Sequence, residues 1–303
     1  MTDHLLTSKL FDVKDKVVLV TGGGTGIGLM IASTLATNGA KVYIGGRRAE
    51  KVESSAKEHN EKVSGQIVPI ELDVANKESI QNAVKVISKN DGHLDVLVNN
   101  AGITGPQSPW FAKDDAPELK DPEKAGTKLF GDQSFEEWGD LYKNNVASIF
   151  FVTSAFLGLL HKASAEHGPW TGTVINISSL NGHLKVSQGK FCYNATKAAN
   201  IHLTKMLATE YALKNIPVRV NTIAPGFFPS EMTGSEGHSR HGVEGKDADE
   251  NSGLMRPIPI NRSGTDADIG GAVLFLASSA SAYVLGQTLF VDGGVIATHP
   301  ASA

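Results

Sequence analysis

The chain has 303 residues, 41% of them hydrophobic and 20% charged, and its 28 basic and 32 acidic side chains leave a formal net charge of −4. This balance describes a globular protein with a sizeable core, and the absence of a massed basic face excludes a nucleic-acid partner held by counterion release. A single cysteine, Cys192, excludes an intramolecular disulfide. The opening MTDHLLTSKLF has no apolar stretch of signal-peptide or anchor length, and the longest apolar runs fall short of the roughly 20 residues of a membrane span, so a reducing, cytoplasmic setting away from membranes is expected. Asn176, Asn194 and Asn261 open Asn-x-Ser/Thr triplets that are read as chance matches.

In chain order, short β-branched runs alternate with helical patterns. The first run, KVVLVTG (16–22), leads through TGGGTGIG into a helix over Met30–Thr37, and KVYIGG (41–46) and GQIVPIELDV (65–74) follow. A helix over Ile80–Ser88 precedes LDVLVNNAG (94–102), and a helix over Trp138–Leu160 precedes TVINISS (173–179). A helix over Ala195–Leu213 then leads to VRVNTIAPG (218–226), and one over Asp266–Ser278 to QTLFVDGG (287–294). The runs are mostly apolar rather than strictly alternating, as strands covered on both faces must be. The expectation is a single α/β domain, a Rossmann-type doubly wound parallel sheet of about seven strands with ligands at the strands' carboxyl ends. Two polar stretches interrupt the rhythm, 103–134 and 231–253, and both are read as long loops over the cleft.

Three groups of residues carry chemistry. In Thr21–Gly28 the glycines allow a tight turn and bring backbone N–H groups and a helix N-terminus close to a pyrophosphate, although the spacing departs from GxGxxG because Ile27 and Leu29 stand where glycines would. Gly46 occupies the place of the acidic residue that binds ribose hydroxyls in NAD sites. Arg47 and Arg48 follow it, and guanidinium forks suit a 2′-phosphate, so NADP(H) is the expected cofactor. In YNATK, Tyr193 and Lys197 lie four apart on one helix face. A phenol titrates near 10, and a neighbouring ammonium lowers it toward useful proton exchange. Ser179 closes the strand before them and offers a hydroxyl to a substrate oxygen.

With these motifs in this order, joined by Asp73 in LDV, NNAG (99–102), NNV with Asn145, APG (224–226) and VDGG, the chain resembles the classical short-chain dehydrogenases/reductases over roughly Val13–Gly294. The resemblance implies catalytic roles for Asn145, Ser179, Tyr193 and Lys197. Tyr193 is then the proton donor in carbonyl reduction, Ser179 orients the substrate oxygen, Lys197 binds the nicotinamide ribose, and Asn145 holds a water of the proton relay. It also implies that Gly22, Thr25, Gly26, Ile27 and Gly28 hold the pyrophosphate side, with Asp73 and Val74 at the adenine. Asn100, Ala101 and Gly102 then meet the adenosine side, while Pro225, Gly226 and Ser230 border the nicotinamide. Such enzymes need no metal, and a homotetramer, or a homodimer, is their usual assembly. The final third further resembles 3-oxoacyl-carrier-protein reductases, in particular rhamnolipid-type β-ketoacyl reductases, as well as sugar and polyol reductases.

The activity this implies is NADPH-dependent reduction of a ketone, oxoacyl or ketose substrate. The alternatives are an NADP-dependent polyol or secondary-alcohol dehydrogenase, and a non-catalytic NADP(H)-binding protein. Asn181, His183, Phe191, Phe227 and Phe228 are the expected pocket walls, with Trp110 covering the cleft or packing on a neighbouring subunit. Cys192 is read as an inert small apolar residue, and His238 with His241 as part of a solvated loop rather than a metal site.

Overall fold

The computed structural model describes residues 2–168, 170–230 and 257–301. The stretch 231–253, together with His238 and His241, therefore lies outside the described residues. After a short helix α1 (Thr7–Leu10), seven strands follow: β1 (Val17–Thr21), β2 (Lys41–Gly46), β3 (Gln66–Glu71), β4 (Val96–Asn99), β5 (Thr173–Ile177), β6 (Arg219–Pro225) and β7 (Thr288–Val291). They form one parallel sheet in the order β3-β2-β1-β4-β5-β6-β7, the doubly wound arrangement read from the alternation of strand and helix.

The side-chain period of two divides each strand between two cores. Val18 and Val20 of β1, Val42 and Ile44 of β2, and Val96 and Val98 of β4 face one cluster, beneath α2 (Gly26–Thr37), α3 (Ala49–Asn60) and α9 (Asp266–Ala277). Leu19, Tyr43, Leu97 and Val174 face the other, beneath α4 (Lys77–Asn90), α7 (Ser148–His167) and α8 (Phe191–Leu213). Because both faces are covered, the central strands need apolar residues at nearly every position. The edge strand β3 instead buries only Ile67 and Ile70, one on each face, and tolerates Pro69 within it, opposite Ile44.

Two readings change. The stretch 103–134 is not a plain loop. It contains 3₁₀ turns at Pro109–Ala112 and Pro117–Lys120, then helix α5 (Pro122–Gly131). Asp121 caps α5 by accepting from the Glu123 and Lys124 amides, and Pro122 fills the first helical position, where a missing N–H costs nothing. A full capping box between Ser134 and Glu137 then starts α6 (Phe135–Tyr142) three residues before the expected Trp138. These terminal signals override a composition that otherwise reads as loop.

The second change is that α6 runs on through a π turn at Lys143–Ala147 into α7, giving 33 continuous helical residues with an 18-residue window of mean hydropathy 1.6. By length and composition this helix is sufficient to cross a membrane, which the count of consecutive apolar residues does not reveal. In the fold its Val152, Phe156, Leu159 and Leu160 are spent on the core under β4 and β5.

A line of buried side-chain amides and hydroxyls ties this packing together. Asn99 donates to Thr153 Oγ1 (3.0 Å) and to Asn176 Oδ1 (2.9 Å), and Asn176 donates to Thr204 Oγ1 (2.8 Å), so β4, α7, β5 and α8 share one chain of hydrogen bonds. Asn176→Ala is expected to cost about 2–4 kcal/mol, because it removes two such bonds and leaves buried partners unpaired. The thermal midpoint, read by circular dichroism, should fall by roughly 5–10 °C.

Candidate active site

The carboxyl ends of β1, β2, β4 and β5 open onto a cleft of about 620 Å³. At its floor, Gly22 has φ +64°, a conformation unfavourable for other residues, and at Gly28 a Cβ atom would stand 2.2 Å from the Gly22 carbonyl. Only glycine allows this close approach, and the amide-rich start of α2 is thereby exposed to the cleft. Thr25, Gly26 and Ile27 line the same wall.

Thr21, which sequence reading passed over, fixes the opposite wall. Its hydroxyl accepts from the Asn100 and Ala101 amides, both at 3.0 Å, while the Asn100 side chain donates to the Thr21 and Gly22 carbonyls. The NNAG segment is thus laced to the glycine turn. The signal available was a hydroxyl residue ending an otherwise apolar strand. Arg47 and Arg48, both exposed, line the cleft beyond β2, alongside Lys51 and Val74. Asp73 does not line it; its carboxylate accepts from the Ala75 amide while Leu72 and Val74 face the cavity.

At the far end stand Tyr193 and Lys197, on one face of α8 as their spacing requires. The Lys197 ammonium lies 5.5 Å from the centre of the Tyr193 ring and donates to the Ile177 carbonyl at 3.1 Å. Burial pushes the Tyr193 hydroxyl up to about 12, with Ser179 pulling it the other way, and pushes Lys197 down to about 8. Desolvation is the leading cause of the Tyr193 shift, with the Ser179 hydrogen bond acting against it. Ser179 caps a short turn by accepting from the Asn181 amide at 3.2 Å.

Asn145, in the π turn, spends its side chain on Ile103, accepting from its amide and donating to its carbonyl, both at 2.9 Å, and reaches Thr196 at 3.3 Å. It joins the end of β4 to the catalytic helix, and its neighbour Asn144 lines the cleft. Ser230 also lines the cleft. Pro225 and Gly226 are not among the residues that line it; the Gly226 amide donates to the Val291 carbonyl, and a Cβ there would meet Asp292 at 2.7 Å.

The expected pocket walls separate. Phe227 and Phe228 border a second cavity, of about 390 Å³, with Ile258 and Phe290, and His183 is buried edge-on against Phe290. Phe191 packs on Phe111, and Trp110 donates to Asp132 at 2.6 Å. Asn181 braces the loop before α8 by donating to Gln188 and Asn194. Cys192 is fully buried, and desolvation pushes its thiol up to about 11, away from the reactive thiolate.

Fold and cleft together define a dinucleotide-binding α/β protein whose hydroxyl and ammonium groups converge at one end of the cofactor trough. The family model for the short chain dehydrogenases matches residues 16–241, and the chain belongs to the short-chain dehydrogenase/reductase family of oxidoreductases, which bind a nicotinamide cofactor. It is 36% identical over 317 residues to the short-chain dehydrogenase/reductase VdtF of Byssochlamys spectabilis, covering 98% of each chain. It is 35% identical over 281 residues to the 3-oxoacyl-[acyl-carrier-protein] reductase FabG of Chlamydia muridarum, covering 93% of this chain and 97% of that protein, which sets it in the FabG-like branch. Among solved structures, the Pseudomonas aeruginosa RhlG/NADP active-site complex superposes with a TM-score of 0.76 at 28% identity, covering 94% of this chain and 98% of that one.

Proposed function

We infer that this protein is an NADPH-dependent ketoreductase acting on a ketone, oxoacyl or ketose carbonyl. The observation that carries this reading is the convergence on one cleft of Tyr193 and Lys197 at one end with Arg47 and Arg48 at the other. The glycine cradle fits a pyrophosphate, since a side chain at Gly28 would fill it. The arginines, with no carboxylate at Gly46, fit a 2′-phosphate, and the NADP named in the RhlG complex supports the same cofactor.

When bound, a reduced nicotinamide supplies the hydride. Tyr193, neutral at physiological pH, donates the proton to the oxygen that becomes the alcohol. Ser179 holds that oxygen by hydrogen bonding, and Lys197 places positive charge beside the tyrosinate that remains. Asn145 ties the segment after β4, at Ile103, to Thr196 near the start of α8 and keeps its place in the proton relay as the family pattern has it.

The chain is read as one cytoplasmic domain, with the folded segment 103–134 and the stretch 231–253 selecting the substrate. Phe150 and Phe151 on α7 and Met206 and Leu213 on α8 leave apolar surface exposed, which suits a homotetramer or a homodimer. Purified protein is tested by NADPH absorbance against a panel of ketones, β-oxoacyl thioesters and ketoses. Turnover with none of them, despite measurable NADPH binding, would favour the non-catalytic reading.

The titration of Lys197 gives a second test. Below its value of about 8 the ammonium is charged and stabilises the tyrosinate; above it that charge is lost, while Tyr193 stays protonated. Reductive kcat/KM is expected to hold steady through neutral pH and to fall as pH rises through about 8. A profile with no fall in that range would remove Lys197 from this role.

A further inference from the structure

At the opposite end of the sheet from the cleft, two histidines share one buried carboxylate. Asp95, fully buried just before β4, accepts from the Val17 amide at 2.8 Å with Oδ2. The same Oδ2 lies 3.2 Å from His93 Nε2, and Oδ1 lies 2.8 Å from His167 Nδ1 at the end of α7. Lys16 attracts Asp95 electrostatically but donates its ammonium to the Ala277 carbonyl. The two imidazoles are Asp95's ion-pair partners among the described residues.

A carboxylate that accepts from one nitrogen of an imidazole fixes the proton there and leaves the other nitrogen with its lone pair. Asp95 does this for His167 and so turns its Nε2 into a potential donor, whereas the buried His93 Nε2 lies near the same carboxylate without forming a hydrogen bond and His93 Nδ1 donates to the Asp91 carbonyl. Glu166 joins them: its Oε2 lies 3.6 Å from His93 Nδ1, which also lies 3.1 Å from the Asp91 carbonyl. One ligand atom from each of His93, Glu166 and His167 falls within 4.8 Å of the others, the one such group among the described residues. Donors on a tetrahedral zinc at roughly 2.0–2.2 Å stand about 3.4 Å apart. The Glu166 and His167 side chains, about half exposed at a helix end, have the freedom to close that gap.

We propose that His93, His167 and Glu166 form a site for a first-row divalent cation of the zinc type, with Asp95 as the buried carboxylate that orients the His167 imidazole. Two imidazole nitrogens and one carboxylate suit such an ion far better than calcium or magnesium, which take oxygen ligands. The ion would pin the loop between α4 and β4 to the C-terminus of α7. It would brace the sheet from the end that carries no catalytic group, and its binding would displace any proton held at His93 Nδ1.

The test is titration of the full chain, first treated with chelator, with zinc chloride in a calorimeter, and with cobalt(II) for its visible spectrum. One ion per chain is expected, with the absorption bands of a four-coordinate site and a thermal midpoint that rises with zinc. His167→Gln and Glu166→Gln, at exposed positions where the fold tolerates change, should each weaken binding ten-fold or more, and His93→Ala with His167→Ala should abolish it. No binding to the unmodified chain overturns the proposal. So does unchanged affinity and stoichiometry in these variants, which would put the ion elsewhere, the pair His238 and His241 included.

Discussion

Tyr193→Phe is expected to lower kcat for carbonyl reduction by about 10³-fold or more while leaving the dissociation constant for NADPH within a few fold of the unmodified protein. The ring keeps its place on α8, so the cleft keeps its shape; what is lost is one hydroxyl. Positioned proton donors contribute roughly 10²–10⁴-fold, and with the tyrosine gone nothing else in the cleft replaces it: Lys197 is held on the Ile177 carbonyl and Ser179 on the Asn181 turn. Cofactor fluorescence measures binding and NADPH consumption measures turnover, so the two effects separate cleanly. Turnover near that of the unmodified protein would remove Tyr193 from the reaction. Equal loss of turnover and of binding would make it a structural residue.

Burial sets the protonation state of Tyr193. A phenol held near 12 is protonated at neutral pH, as the proton donor of a reduction must be before the transfer. This could not be read from the YNATK spacing, because spacing reports which side chains share a face and says nothing about how much water reaches them. The sequence rule counts the neighbouring charge, whereas the folded chain adds burial, the leading cause of the shift at both Tyr193 and Lys197.

The same distinction explains what else was legible. The seven strands were visible because a sheet covered on both faces must be apolar at successive positions, as in Val17 to Val20. Residues lining the cofactor cleft, from Gly22 to Gly28 and from Asn100 to Gly102, were visible because backbone approach imposes composition. Long-range side-chain partnerships were not visible. Thr21 acts on residues about 80 positions away, Asn145 on Ile103, and Asp95 on His167, and no local pattern encodes such pairings. Phe227 and Phe228 line a cavity apart from the cofactor cleft for a related reason: a strand's carboxyl end places residues near a cleft, but packing near Phe290 and Ile258 decides which side of the chain they face.

Cofactor choice is the remaining point on which sequence and geometry can be set against each other experimentally. Arg47 and Arg48 follow β2 at the rim of the cleft, where Gly46 provides no carboxylate to hold a free ribose 2′-hydroxyl. If they hold a 2′-phosphate, each charge-assisted contact is worth about 1.5–3 kcal/mol, with solvent exposure keeping the effect at the lower end. Replacing both with Ala is then expected to weaken NADPH binding by about 10–100-fold and to leave NADH binding within a few fold, so that the preference between cofactors collapses. Lys51 lies on the same wall and retains some attraction for the phosphate, so a residual preference of a few fold should persist until Lys51 is also changed. Salt supplies an independent readout: because the contact is between exposed ions, raising ionic strength should erode NADPH affinity in the unmodified protein much more than in the double variant. Parallel losses for both cofactors would mean that the arginines shape the rim without reading the phosphate, and the choice of NADP(H) would fall with them.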